Sequence, residues 1–175
     1  MKNKSILVTG ITGSGKSYLC SELKKRGYKA YDIENMHGLF NMVHKKTGKI
    51  ADKHYDNDNL ECVKQHDWIC NKNKLQKLIR KNKKDIVFYC GTASNLDELL
   101  FLFDKIFLLK ISPKILRKRL STRKSNDFGR TPKVQEWILE WKDWWENHMH
   151  EKGAIIINAN RDIQEIITDI VKRSK

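Results

Sequence analysis

The chain of 175 residues has no apolar run near the roughly 18 residues that a membrane-spanning helix needs. Ser5-Ile6-Leu7-Val8-Thr9 is too short for the apolar core of a secretory leader and runs straight into a Gly-rich turn. The cytoplasm is therefore the expected compartment. Proline is scarce, at two residues, and cysteine stands at four with no CxxC pair, which excludes a disulfide-stapled scaffold. Cys62, His66 and Cys70 recur every four residues, as on one helix face, but no fourth ligand is marked, so half-buried surface is preferred to a metal site.

Acidic charge is also short. Against 21 Asp and Glu stand 35 Lys and Arg, giving a net charge of +14 and an expectation of an anionic partner. Lysine outnumbers arginine 27 to 8 and falls in scattered pairs such as Lys24-Lys25, Lys45-Lys46 and Lys83-Lys84. A nucleic-acid groove more often clusters arginine with aromatics. A solvated, nucleotide-attracting surface is the favoured reading, and polynucleotide binding stays open.

What is present is an alternation of short apolar runs and amphipathic stretches, the pattern of an α/β protein: a parallel sheet between two layers of helices. Strands are expected at 6–9, 29–32, 85–90, 105–110 and 154–157. Helices are expected at 16–25, 68–81, 96–103, 113–122, 133–148 and 163–173. Pro113 and Pro132 both stand where a helix would begin, a position at which the missing N–H costs nothing. The whole of 1–175 reads as one domain. Two polar segments interrupt the alternation, about 34–67 and about 123–131, and both read as flaps standing on the sheet.

Gly10-Ile11-Thr12-Gly13-Ser14-Gly15-Lys16-Ser17 matches GxxxxGK[ST] without a gap, directly after an apolar strand and at the head of a helix. Glycines let successive backbone N–H groups converge on an anion, and the helix adds its positive dipole end. Lys16 is placed to reach the β and γ phosphates, and Ser17 to offer its hydroxyl to Mg²⁺. Gly10, Thr12, Gly13, Ser14, Gly15, Lys16 and Ser17 are thus the expected ATP-binding residues. The third strand ends Phe88-Tyr89-Cys90-Gly91 without the carboxylate that motor ATPases carry, and Asp104 begins the fourth strand at the wrong end of the sheet. A motor is disfavoured.

The acidic groups come instead after the second strand, as Asp32 and Glu34. Asp32 could fix the hydration shell of Mg²⁺ and Glu34 could accept the proton of an attacking hydroxyl. Arg119 and Arg123 share a helix face that leads to Arg130, and such donors stabilise charge spreading over a transferred phosphoryl group. Arg117 reads as plain surface. Trp137, Trp141, Trp144 and Trp145 form one helical stripe, better suited to packing than to base stacking. Asp67 reads as the N-cap of the helix at 68–81.

With these motifs the chain resembles the P-loop small-molecule kinases: the adenylate, shikimate and gluconate kinases and their relatives. The resemblance implies a P-loop nucleoside triphosphate hydrolase fold with five parallel strands in the order 2-3-1-4-5, an acceptor flap and a lid. It implies Asp32 and Glu34 in the place of an Asp-x-Asp pair, Arg119 and Arg123 as lid-helix arginines, Arg130 as the lid's own, and an adenine loop at Asn158-Ala159-Asn160-Arg161, which makes Arg161 a further nucleotide contact. The chain departs at Cys90-Gly91-Thr92-Ala93-Ser94-Asn95, where the family carries other sequences. Arg80 is the only arginine between Ile33 and Leu116, so a hydroxyl-bearing acceptor such as a nucleoside is favoured over a nucleotide. A polynucleotide 5′-hydroxyl kinase and an ATP-binding regulatory module are the alternatives; monomer and homodimer are both open.

Overall fold

A computed structural model describes residues 4–82, 86–124 and 127–175. Five parallel strands build the main sheet: β1 (Lys4–Thr9), β2 (Lys29–Asp32), β5 (Ile86–Cys90), β6 (Lys105–Lys110) and β7 (Ile155–Asn158). Their spatial order is β2-β5-β1-β6-β7, which is the expected 2-3-1-4-5 when these five alone are counted. The start of the third expected strand, Asp85, lies outside the described residues, as do Lys83, Lys84, Ser125 and Asn126. The first strand occupies the middle, paired with β5 on one side and β6 on the other. Strands in that place are buried on both faces, which is why they read as continuous Ile, Val, Leu and Phe.

Side chains alternate across the sheet into two cores. Ile6, Val8, Phe88, Cys90, Phe107 and Leu109 point into one, shared with helices α1 (Lys16–Lys25), α4 (Pro113–Thr122), α5 (Pro132–Glu151) and α6 (Ile163–Ser174). Leu7, Val87, Tyr89, Ile106 and Leu108 point into the other, beside Leu75 of α3 (Lys72–Lys81) and Leu96 and Leu99 of the β5–β6 connection. Helix α1 ends where Gly27, at φ 82, donates to the carbonyl of Lys24 (2.9 Å) while Tyr28 donates to that of Leu23 (3.1 Å). This paired closure stops the helix and turns the chain into β2.

Two expected helices are corrected. His66–Cys70 is not helical but forms strand β4, antiparallel to β3 (Phe40–His44), with Trp68 stacked on Phe40 at 5.2 Å. Cross-strand pairing and aromatic contact override the local helix signal there. The helix therefore begins only at Lys72, capped by the Asn71 side chain, which accepts from Lys74 N at 3.0 Å. Asp67 is no cap; it lies in the strand, 3.7 Å from Lys45 Nζ. The spacing of Cys62, His66 and Cys70 accordingly does not describe one helix face, since Cys62 belongs to α2 (Leu60–Lys64) and the other two to β4.

Residues 96–103 form two 3₁₀ turns, Leu96–Glu98 and Leu100–Leu102, in place of an α-helix. Both ends of this connection are fixed. Asn95 brackets the Cys70 backbone through Oδ1 and Nδ2, at 3.0 and 3.1 Å, and Asp104 accepts from Ser5 N at 2.7 Å. The 3₁₀ form rises further per residue and bridges such fixed ends with fewer residues. Asp104 thus stands at the amino end of the sheet, away from the phosphate loop. Three of the four stripe tryptophans pack: Trp137, Trp141 and Trp145 lie edge to face along α5 against the first core, whereas Trp144 departs from the stripe, exposed and stacked on His148.

Candidate active site

Between β1 and α1 the chain folds around its own backbone. Gly15 caps α1 at φ 105 and Gly13 sits at φ 79, both in the left-handed region where a Cβ is strained. A Cβ on Gly13 would also stand 2.8 Å from Leu116 Cδ1, and one on Gly10 would stand 2.5 Å from Ser14 Oγ. At these two positions only glycine lets the loop close on α4 and on itself. The Thr9 and Ser14 hydroxyls are buried with no hydrogen-bond partner among the described residues. Unmet polar groups in a glycine-rich loop at the head of a helix fit a cradle for an anion.

Lys16 is almost wholly buried. Its Nζ donates to the carbonyls of Gly10 (2.8 Å) and Ile11 (3.1 Å) and lies 3.5 Å from Glu34 Oε1. The Glu34 carboxylate is itself held by the main-chain N–H of Thr92, at 3.0 Å. Glu34 stands in a 3₁₀ turn (Ile33–Asn35) just beyond β2, so the carboxyl ends of β1, β2 and β5 converge on one ion pair. Asp32, the last residue of β2, accepts from Asn35 Nδ2 at 2.9 Å.

Arg119 reaches over the loop from α4 and donates to the carbonyls of Ser14 (3.0 Å) and Gly13 (3.4 Å), and to that of Ala159 across the cleft (3.5 Å). Burial pushes its guanidinium down from the ordinary arginine value. Arg123, at the end of α4, donates to the Phe128 carbonyl; burial lowers it too, partly offset by the facing carboxylates of Asp127 and Glu34. Arg161 bonds the Asn158 carbonyl at 3.3 Å and Asp169 at 2.9 Å.

These groups line one cleft of about 710 Å³. It brings together Thr12, Gly13, Ser14, Gly15, Lys16, Ser17, Glu34, Arg119, Arg123 and Arg161. Gly10, Asp32 and Arg130 stand outside the lining: Gly10 contributes its carbonyl to Lys16, Asp32 lies behind Asn35, and Arg130 is exposed on the 123–131 segment, of which Ser125 and Asn126 lie outside the described residues. Arg117 pairs with Glu136 at the surface. Asn35, Ile163 and Ile166 also line the cleft and went unnoticed in the sequence. The two isoleucines carried a signal, being spaced by three at the head of a helix. Thr92 carried none, because its contribution is a main-chain N–H.

A family model described as an AAA domain matches residues 6–140. The chain belongs to the AAA domain family. Solved structures of P-loop small-molecule kinases share its fold along nearly the full length. Deoxyadenosine kinase from M. mycoides, solved with bound dATP, is 15% identical with a TM-score of 0.58, covering 97% of this chain and 98% of that one. Shikimate kinase from Bacteroides thetaiotaomicron is 16% identical with a TM-score of 0.59 and 97% coverage of both chains. A sugar kinase from Janibacter sp. is 12% identical with a TM-score of 0.53, covering 98% and 94%. No curated protein sequence matches the chain. No helix among the described residues is long and apolar enough to cross a membrane.

Proposed function

We propose that this family member is an ATP-dependent kinase that transfers the γ-phosphoryl group to a hydroxyl of a small acceptor, such as a nucleoside or similar metabolite. The observation that carries the reading is the Lys16–Glu34 pair at 3.5 Å inside the cleft. A protein that only senses nucleotide needs the lysine but not a carboxylate fixed against it by a backbone donor. The likeness in fold to kinases of nucleosides, shikimate and sugars supports the same class.

In this reading the triphosphate enters the loop, and Lys16 leaves the Gly10 and Ile11 carbonyls for its β and γ oxygens. Glu34, still held by Thr92 N–H, then faces the acceptor and takes the hydroxyl proton as that oxygen attacks phosphorus and the bond to the ADP oxygen breaks. Arg119 and Arg123, and Arg130 from the flanking segment, supply positive donors as charge spreads over the transferred group. Arg161 and Ile163 serve the base side of the nucleotide. Mg²⁺ would be held by the Ser17 hydroxyl in the cleft, with the Asp32 carboxylate, outside the lining, fixing its hydration shell; such all-oxygen surroundings suit Mg²⁺, which keeps several waters. When bound it neutralises phosphate charge. Residues 34–67 serve as the acceptor flap and 123–131 as the lid, in a soluble cytoplasmic enzyme acting as monomer or homodimer.

Two variants test the assignment. Lys16→Ala is expected to lower ATP turnover at least about a hundredfold, and wild-type turnover in that variant would end the proposal. Glu34→Gln is expected to lower kcat by about 10²–10⁴ while ATP affinity stays within about threefold. An equal loss in ATP affinity would remove Glu34 as the base.

A further inference from the structure

Two contacts join the flap to the lid segment and, resting on the kinase reading, bear on the acceptor. Asn57 Nδ2 donates to Asp127 Oδ1 at 2.7 Å across 70 residues of sequence, and the Thr131 hydroxyl reaches the Asp58 carbonyl at 3.5 Å. We propose that Asn57 and Asp127 are specificity-determining residues: they bridge flap and lid one residue from the Phe128 carbonyl that Arg123, a lining residue of the cleft, bonds, so the acceptor is a small, wholly enclosed hydroxyl compound and not the 5′ end of a polynucleotide.

Both ends of the bridge are braced. On the flap side, Asp58 N donates to Asp56 Oδ1 at 2.8 Å, and Asn59 caps α2 by accepting from Cys62 N at 3.1 Å. The Tyr55 ring rests edge-on against His66 at 5.1 Å, and burial, then Cys62 and Asp127, push its hydroxyl up to about 12. On the lid side, Arg130 N closes a turn onto the Asp127 carbonyl at 3.0 Å.

The bridge also connects to the reacting groups. Arg123 lines the cleft, bonds the Phe128 carbonyl next to Asp127, and faces the carboxylates of both Asp127 and Glu34. A polymer end must enter with its chain trailing out between flap and lid, and a bridge at that gap leaves no slot for it. A single nucleoside, sugar or cyclic polyol needs only a transient opening. On this view the +14 charge serves the anionic donor, not a nucleic-acid track.

The test compares the wild type, Asn57→Asp, and the exchanged pair Asn57→Asp/Asp127→Asn. The single variant sets two carboxylates against each other; the exchanged pair rebuilds the bond with donor and acceptor reversed. Amide hydrogen exchange across 52–59 is measured in the unliganded protein. Transfer from γ-labelled ATP is measured to nucleosides, sugars, shikimate and a 5′-hydroxyl oligothymidylate.

The wild type is expected to label a small acceptor and leave the oligonucleotide unlabelled. Asn57→Asp should speed exchange about tenfold, raise ATP loss to water several-fold and raise the acceptor KM about tenfold, with the exchanged pair restoring all three. Comparable labelling of the oligonucleotide by the wild type, or unchanged exchange and KM in Asn57→Asp, overturns the inference while leaving the kinase assignment standing. Transfer from the wild type to none of the acceptors overturns both.

Discussion

Gly13 shows how little room the phosphate loop has. Its left-handed backbone and the leucine methyls of α4 at 2.8 and 3.1 Å exclude even one added carbon. Gly13→Ala is therefore expected to lower stability by about 1–3 kcal/mol, read as a drop in denaturant midpoint, and to weaken ATP binding more than it lowers the midpoint. A variant with wild-type midpoint and affinity would mean the loop rests on other contacts. Lys16 presents the opposite case. Its charge is already balanced by two carbonyls and Glu34, so phosphate binding exchanges one set of partners for another and leaves no charge bare.

Among the elements, α5 carries an ion pair that the fold encloses almost entirely, Lys142 Nζ to Glu146 Oε2 at 2.8 Å, with Lys110 at 3.9 Å from the same oxygen. Burial raises the Glu146 carboxyl above its ordinary value despite Lys142. Removing Lys142 leaves the buried Glu146 with only the half-exposed Lys110 at 3.9 Å. Lys142→Met is expected to cost about 3–5 kcal/mol, whereas Lys142→Met/Glu146→Leu should fall within about 1–2 kcal/mol of wild type. Equal losses in the two proteins, measured by urea unfolding, would contradict this account. In α6, burial raises Asp169, but the bond from Arg161 and the charge of Arg173 outweigh it and hold the carboxyl below its ordinary value. A depressed carboxyl stabilises the fold above its unfolded pKa of about 3.9, and that contribution disappears as pH falls through the lower folded value. Asp169→Asn should accordingly flatten the acid limb of the stability curve below about pH 4; an unchanged limb would count against the clasp.

The three inner strands β1, β5 and β6 were legible in sequence because double burial leaves unbroken apolar runs, and the glycine loop because its geometry admits few residue types. The helix expected at 68–81 failed in its first turn, since the strand partner of His66–Cys70 lies at Phe40–His44 and local spacing carries no trace of it. The 3₁₀ connection escaped for the same reason: Asn95 and Asp104 fix it through contacts far away in sequence. Within the site, Lys16 and Glu34 stood out by type and position. The meeting of Glu34 with Thr92 and of Asn57 with Asp127 did not, because tertiary folding alone creates both.

For the molecule as a whole, +14 of charge attracts polyanions of every kind, and salt separates attraction from fit. The association rate of ATP is expected to fall several-fold between about 50 and 300 mM salt while the dissociation rate changes by less than about twofold. A dissociation rate that carried most of the salt dependence would shift the binding energy from the buried loop to the lysine-rich exterior.

The central place of β1 has a consequence for how the chain is born. Lys4–Thr9 leaves the ribosome well before its sheet partners Ile86–Cys90 and Lys105–Lys110, and β2 also waits for Ile86–Cys90. Until residue 90 has emerged, the apolar β1 has no partner strand of the main sheet beside it. Vectorial synthesis thus delays the nucleotide cradle, built on β1, until Ile86–Cys90 is available to pair with that strand.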